Sequence, residues 1–276
     1  MSLLVTQERS ESSDAYHEDT SVISHSAKER FRESPRVYEA EYVLKTSERK
    51  VTEAMLFGQA VHCAVLEPDV FAAGYCVAPL CDRRTNAGKA TWSEFVAGSN
   101  GKAVLDAESW AMVERCRKAV MAHTQARAAI EAEGVVEKSI YWTCPETELR
   151  LKCRPDKRTR SAILDLKAME RATPDSFQRA CINFGYARQQ DFYTDGVWKV
   201  TGEQLPFAFI VVSKATLEIA FYELDSEWET LAARQNAETL RAMAEAWRTK
   251  DFRAAHEKQI YTLPCPRWAG YALDYE

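Results

Sequence analysis

The chain has 276 residues, of which 46% are hydrophobic, 28% charged and 11% aromatic, and a formal net charge of -5. This composition excludes a disordered or fibrous protein, and the length suits one large domain or two small ones with a sizeable core. The acidic balance excludes a general coat of basic charge for nucleic acid, while leaving room for a local basic channel. The longest purely apolar run, Phe207 to Val212, is far short of the roughly 20 residues of a membrane-spanning helix. The opening MSLLVTQERS lacks the charged start and apolar block of a signal peptide. Eight scattered cysteines without a CxxC pair read as reduced thiols of a cytoplasmic protein, not as a disulfide frame or a zinc ribbon.

Residues 1–15 are polar and irregular and read as a flexible tail, leaving 16–276 as a single domain. From Ser24, SHSAKERFRESPRVYEAEYV reads as a helix broken at Ser34-Pro35 and resumed after it. Thr52 to Leu66 reads as a helix with Met55, Ala60, Ala64 and Val65 inward. The polar stretch 78–104 is expected as a functional or partly ordered loop. Residues 105–132 read as one long helix ended by Gly134. Three strands follow at 135–143, 148–156 and 161–168, in an antiparallel meander. Thr173-Pro174 starts a helix that runs to about Asn183, and a second runs from Tyr186 to about Tyr193. Two more strands are expected at 206–214 and 216–224. Ser226 and Glu229 make a capping-box pattern for a long last helix, with Trp228, Leu231, Ala232, Leu240, Met243 and Trp247 as its apolar stripe. The predicted architecture is α/β: a five-strand mixed sheet flanked by helices, with a helical N-terminal segment and a long C-terminal helix.

The chemistry concentrates between Glu137 and Tyr193. Asp156 ends one predicted strand, Asp165 lies in the next, and Lys167 shares its face by the period of two. Two converging carboxylates can hold Mg²⁺ or Mn²⁺, which favour oxygen ligands. An ammonium beside such a metal can orient a water or stabilise charge developing on a phosphate. An Asp-x-Lys triplet alone is more often a surface ion pair. Here Arg154-Pro155-Asp156 precedes it, and Ile163-Leu164 places Asp165 at the end of a buried strand.

With these residues the chain resembles the PD-(D/E)xK nuclease superfamily. Within it the chain resembles the RecE (exonuclease VIII) group, related to the RecB nuclease domain and to phage lambda exonuclease. Gly58-Gln59-Ala60-Val61-His62 resembles the G-x-x-x-H motif of that group, and Glu137 the acidic residue that opens its sheet. Cys153-Arg154-Pro155-Asp156 resembles its R-P-D motif, and Asp165-Leu166-Lys167 its D-x-K motif. Gly185-Tyr186-Ala187-Arg188-Gln189 with Tyr193 resembles its G-Y-x-x-Q-x-x-x-Y helix, and SHSAKERFRESPRVY its S-x-S…SP-x-x-Y segment. The resemblance spans about residues 16–224.

It implies a restriction-endonuclease-like core and a Mg²⁺-dependent exodeoxyribonuclease, with Mn²⁺ as a substitute. The implied metal ligands are His62, Asp156, Asp165 and the backbone carbonyl of Leu166, with Lys167 positioning the attacking water. Glu137 either binds a second metal or a metal-bound water, or pairs with a strand lysine such as Lys152. Gln189 either hydrogen-bonds near the scissile phosphate or braces Lys167, and Tyr193 either contacts DNA or buttresses the site. With Tyr186 they fall at i, i+3 and i+7, which also fits a core stripe. Arg150, Lys152, Arg154, Lys157, Arg158 and Arg160 either grip the DNA backbone or form a solvated face. Lys28, Arg30, Arg32, Arg36, Arg83 and Arg84 are further DNA candidates. Trp92 is either a base-stacking wedge or a buried core residue.

The resemblance further implies 5′→3′ digestion of one strand of linear double-stranded DNA, leaving 3′ single-stranded overhangs for phage-type homologous recombination. It implies a single-strand annealing partner of the RecT type, a homo-oligomeric ring (a trimer or tetramer), and the cytoplasm of a bacterial host. The alternatives are a structure-specific or RecB-like repair endonuclease, and an inactive nuclease-fold DNA-binding protein. Cys265 alone near the C-terminus does not fit an iron–sulfur pattern, and no P-loop motif is present, so neither a cluster nor a helicase motor is expected. Without the long N-terminal region of exonuclease VIII, the chain reads as the nuclease portion alone.

Overall fold

The structure, a computed structural model, describes residues 6–48, 51–260 and 262–265. Its centre is a five-stranded mixed sheet in the order Ile219–Tyr222, Phe207–Ser213, Ile163–Met169, Lys157–Thr159, Gly134–Val136. Phe207–Ser213 runs parallel to Ile163–Met169, and the other neighbours are antiparallel. A strand covered on both faces needs a continuous apolar run, and FAFIVVS supplies one. Its side chains alternate between two cores. Phe207, Phe209 and Val211 join Ile163 with the helices Pro174–Asn183, Tyr186–Thr201 and Ser226–Thr249. Ile210 and Val212 join Leu164 and Leu166 with the helices Glu53–Leu66 and Ala107–Ala122.

A second sheet holds four short strands in the order Gln7–Arg9, Ser139–Thr143, Arg150–Cys153, Ile23–Ser24. The Tyr186–Thr201 helix packs closely on it. A Cβ added at Gly196 would lie 2.7 Å from the Trp142 ring and 2.9 Å from Cys153 Sγ, so only glycine permits this approach. A third, two-stranded sheet pairs Tyr75–Val77 with Ala103–Leu105 in parallel.

The helix broken at Ser34-Pro35 is present as expected: His25–Glu33 ends there, and the Ser34 side chain caps Pro35–Tyr38. Several other expectations need correction. The meander is divided between two sheets. The strand expected at 135–143 breaks at Glu137, whose φ of 51° lies in the left-handed region, and its halves join different sheets. The strand expected at 148–156 is confined to Arg150–Cys153, and the separate strand Lys157–Thr159 forms a hairpin with Ile163–Met169. The central sheet thus has five strands, but two short ones replace the two longer ones expected.

The loop expected at 78–104 contains the helix Asn86–Gly98. The single helix expected at 105–132 is two, Ala107–Ala122 and Thr124–Glu131, parted where His123 turns extended and caps the second through its side chain. The helix from Tyr186 continues to Thr201. Asp225, one residue before the expected box, caps the long helix Ser226–Thr249 by accepting from the Glu227 and Trp228 N–H groups, and a short helix, Ala255–Lys258, follows it.

Part of the tail expected at 1–15 is built into the fold. Gln7–Arg9 pairs with Ser139–Thr143, and the helix Ser13–Glu18 buries Tyr16; residues 1–5 lie outside the described residues. No helix of the described residues is long and apolar enough to cross a membrane.

Candidate active site

The strand Lys157–Thr159 pairs with Ile163–Met169 only as far as Leu164. Beyond that point the edge of the longer strand is open among the described residues. Asp156, just before the short strand, fills the gap: its Oδ2 accepts the Leu166 N–H at 2.7 Å. The same oxygen lies 2.7 Å from His62 Nε2, presented by the Glu53–Leu66 helix. Glu137 sits where the chain leaves one sheet for the other. Its Oε1 is 3.2 Å from His62 Nδ1, and its backbone N–H donates to the Asp156 carbonyl at 3.2 Å. Arg154 Nε grips the other carboxylate oxygen at 2.6 Å.

A second group lies on the strand itself. Lys167 Nζ is 2.5 Å from Asp165 Oδ1, as the period-two reading requires. Gln189 closes the pair: its Oε1 accepts from Lys167 Nζ at 3.0 Å and its Nε2 donates to Asp165 Oδ2 at 2.7 Å. The Tyr186 ring lies 4.7 Å from the Lys167 ammonium, within range of a cation–π attraction. Tyr193, a turn further along the helix, meets His25 edge-on at 6.3 Å. Of the three residues expected on one helical face, Tyr186 and Gln189 meet Lys167, whereas the ring of Tyr193 meets His25.

Each charge in the site depends on its neighbours. Burial and the Asp156 charge raise Asp165 above the usual carboxylate range, against the pull of Lys167. Burial likewise raises Glu137, against His62. Burial would raise Asp156 too, but His62, Lys167 and the Leu166 N–H hold it low. Burial favours neutral His62, yet Asp156 and Glu137 outweigh it and raise its pKa. For Lys167, Asp165 and Asp156 outweigh burial in the same way. An imidazolium and an ammonium thus offset three buried carboxylates.

This arrangement suits a divalent cation. One donor atom each from His62, Glu137 and Asp156 lies within 4.8 Å of the others. An imidazole with carboxylates is a normal donor set for Mn²⁺ and a tolerated one for Mg²⁺. His62 Nε2 and Asp165 Oδ1 are buried in charge contact but have no hydrogen-bond partner of proper angle among the described residues. A cation would satisfy atoms that a proton leaves poorly satisfied. The donor atoms grouped closest together are those of His62, Glu137 and Asp156, while Gln189 and Lys167 engage the Asp165 carboxylate beside them. Leu166 enters through its N–H on Asp156.

The residues 24–259 match a family model described as a PDDEXK-like domain of unknown function (DUF3799). The chain belongs to that family. The fold of this PDDEXK-like protein is similar to the crystal structure of a putative exonuclease from Eubacterium rectale, with a TM-score of 0.64 and 16% sequence identity. That similarity covers 96% of this chain and 99% of the other. No curated protein matches the sequence significantly. The restriction-endonuclease-like α/β core is therefore established, together with its long C-terminal helix.

The PDDEXK-like fold uses the proposed DNA-gripping residues mostly for itself. Lys152 is buried, with its amine donating to the Tyr16 carbonyl and, at 2.7 Å, to that of Asp19. Neither the DNA grip nor the solvated face expected for it is found, because the N-terminal segment covers that side. Lys157 is buried and donates to the Ile130 carbonyl at 2.7 Å. Arg158 pairs with Glu8 at 2.8 Å, and Arg154 serves Glu137. Only Arg150 and Arg160 of the six are exposed, and Arg160 faces Glu133. Glu137 does not pair with Lys152.

Beside the site opens a cleft of about 890 Å³, lined in part by His25, Arg30, Arg32, Phe184 and Arg188. Sequence reasoning missed Arg188, which holds Glu29 through Nε at 3.0 Å and Nη2 at 2.6 Å. It also missed His25, which burial together with the Lys28 and Lys167 charges holds neutral. Arg188 lies next to Gln189 in the predicted helix and could have been found by that adjacency. His25 fills the unspecified middle position of the S-x-S segment, so that motif does not single it out.

Proposed function

We propose that this protein is a Mg²⁺-dependent deoxyribonuclease of the RecE type, degrading linear double-stranded DNA from the 5′ end. One observation supports the reading above others: Asp156 joins the two groups of the site. Its Oδ2 touches His62 and also fixes the strand that presents Asp165 and Lys167. A metal donor set and a buried, braced ammonium in contact are the chemistry that phosphodiester hydrolysis needs.

A divalent cation held by His62, Glu137 and Asp156 would supply Lewis acidity and an acidified water. His62 would have to be neutral to serve as a ligand to it. Lys167 presents its ammonium to the attacking water and to the charge that develops on the phosphate. Gln189, Asp165 and the Tyr186 ring hold that ammonium in place before substrate arrives, so little reorganisation is needed. Arg154 fixes the orientation of Glu137. The overhang left behind would pass to an annealing protein of the RecT type in a bacterial cytoplasm, and a ring of three or four copies would keep the DNA enclosed.

The test is digestion of linear duplex labelled at the 5′ or the 3′ end, with Mg²⁺ and with chelator. We expect early release of the 5′ label with Mg²⁺, none with chelator, and an intact covalently closed plasmid. Cutting of the closed plasmid would replace this reading with a RecB-like endonuclease. DNA binding without any cleavage would leave an inactive nuclease fold.

A further inference from the structure

The segment 82–102 stands out from the rest of the molecule. Its helix Asn86–Gly98 buries Gly88 and leaves the rest of its length half-buried or exposed. An unneeded excursion of this kind would be expected to be floppy, yet this one is closely specified. The Thr85 hydroxyl donates to the Asp82 carbonyl at 2.9 Å and accepts the Gly88 N–H at 3.0 Å. A Cβ at Gly88 would lie 2.0 Å from that same carbonyl oxygen, so the turn requires glycine. Asp82 is neutralised by Arg84 at 3.0 Å. Arg83 lies over the Trp92 ring at 4.4 Å, and Phe95 flanks the indole at 5.6 Å.

The segment's charge opposes that of the chain. Arg83, Arg84, Lys89 and Lys102 stand against Asp82 and Glu94, within a protein of formal net charge -5. Lys89, Trp92 and Val96 fall at i, i+3 and i+7, so an amine and a half-buried indole share one helical face. Basic side chains interleaved with an aromatic platform suit a single strand, whose unstacked bases offer faces to stack on. A duplex hides those faces, and an acidic second copy of this chain could answer the basic charge but would leave the aromatic platform without a stacking partner.

We propose that the 82–102 arm binds single-stranded DNA, with Trp92 stacking on a base and Arg83 and Lys89 contacting flanking phosphates. The proposal rests on the nuclease reading for its choice of DNA, since a strand-selective exonuclease generates a single strand beside its site. The arm holds that strand by a surface separate from the catalytic residues.

The test is fluorescence anisotropy of labelled oligothymidine in chelator, where no cleavage occurs. Trp92→Ala is expected to weaken binding about tenfold, the scale of one lost base stack, and Trp92→Phe to restore most of it. Arg83→Ala with Lys89→Ala is expected to lower the slope of log affinity against log salt by about 0.7 per charge removed. Circular dichroism and Mn²⁺ calorimetry should match the parent chain in every variant. Unchanged oligothymidine binding in these variants overturns the proposal, as does failure of the parent chain to bind. A change of mass in light scattering without a change of affinity also overturns it, and makes the arm an interface between copies. A protein that digests duplex but binds oligothymidine equally with and without Trp92 loses this proposal alone. One that binds through the arm but digests nothing loses the nuclease reading alone.

Discussion

The site's residues divide into those that would hold a cation and those that would act beside it, and substitutions should separate the two. Asp156→Asn removes a donor and also loosens the Leu166 contact, so it should abolish the Mn²⁺ binding heat in calorimetry. Lys167→Ala touches none of His62, Glu137 or Asp156. It should lower the cleavage rate by about 10²–10³-fold while leaving Mn²⁺ affinity within a few-fold. Gln189→Ala should fall between, because it frees the ammonium without removing it. The histidine, the acids, the lysine and the glutamine were all legible in the sequence, because each is a chemistry-bearing type at ordered spacing. The way Glu137 comes to face His62 was not. It depends on a left-handed backbone at Glu137, which no residue type announces.

A second residue-scale prediction concerns Lys28, which is fully buried against Glu29 and Asn236. Burial outweighs Glu29 and pulls its pKa from the ordinary 10.5 down to about 8. Between these values the unfolded chain binds more protons than the native one, so stability should rise as pH rises through that window. The gain for this one group is on the order of 3 kcal/mol at most. Urea unfolding at pH 8 and pH 10 checks it, and Lys28→Met should flatten the difference. A lysine on a helix next to Glu29 looks like a surface residue or a DNA contact in the sequence; only the packing of the long C-terminal helix against it reveals otherwise.

At the scale of elements, the contact between the Tyr186–Thr201 helix and the Ser139–Thr143 strand sets where Gln189 stands. Gly196→Ala would force a methyl into Trp142 and Cys153. Such overpacking typically costs about 1–3 kcal/mol, and a lowered thermal midpoint should accompany a lowered cleavage rate as Gln189 moves off Lys167. Element type was largely readable: FAFIVVS and the amphipathic long C-terminal helix leave little choice. Sheet membership was not. A period of two tells which residues share a face, but not that 135–143 changes sheets midway. The helix within 78–104 escaped because its face covers no core, so the apolar periodicity that betrays a packed helix is weak there. His123 shows the opposite failure, where an unbroken helical pattern concealed a cap.

At the scale of the whole molecule, three helices distant in sequence share one largely half-buried polar network. Arg188 bonds Glu29 and, at 3.1 Å, Gln235; Asn236 donates to the Arg188 carbonyl at 2.9 Å and to Asp191 at 2.7 Å. Removing one partner of such a network leaves the others poorly paired where water reaches them only in part, a cost of about 1–3 kcal/mol. Glu29→Ala should therefore unfold cooperatively at lower urea than Glu33→Ala, whose ion pair with Arg30 is exposed. The tie runs through the element that carries Gln189, so a loss of stability there should also reduce cleavage.

The N-terminal cover over Lys152 bears on how the protein should be trimmed for study. The family match begins at residue 24, and cutting there would look harmless. It would strip away the carbonyls of Tyr16 and Asp19 that receive the Lys152 amine, and the strand partner of Ser139–Thr143. The Lys152 amine would lose its acceptors, and Ser139–Thr143 would present an unpaired strand edge, inviting aggregation. Affinity tags are better joined upstream of Met1 than spliced at that tempting boundary.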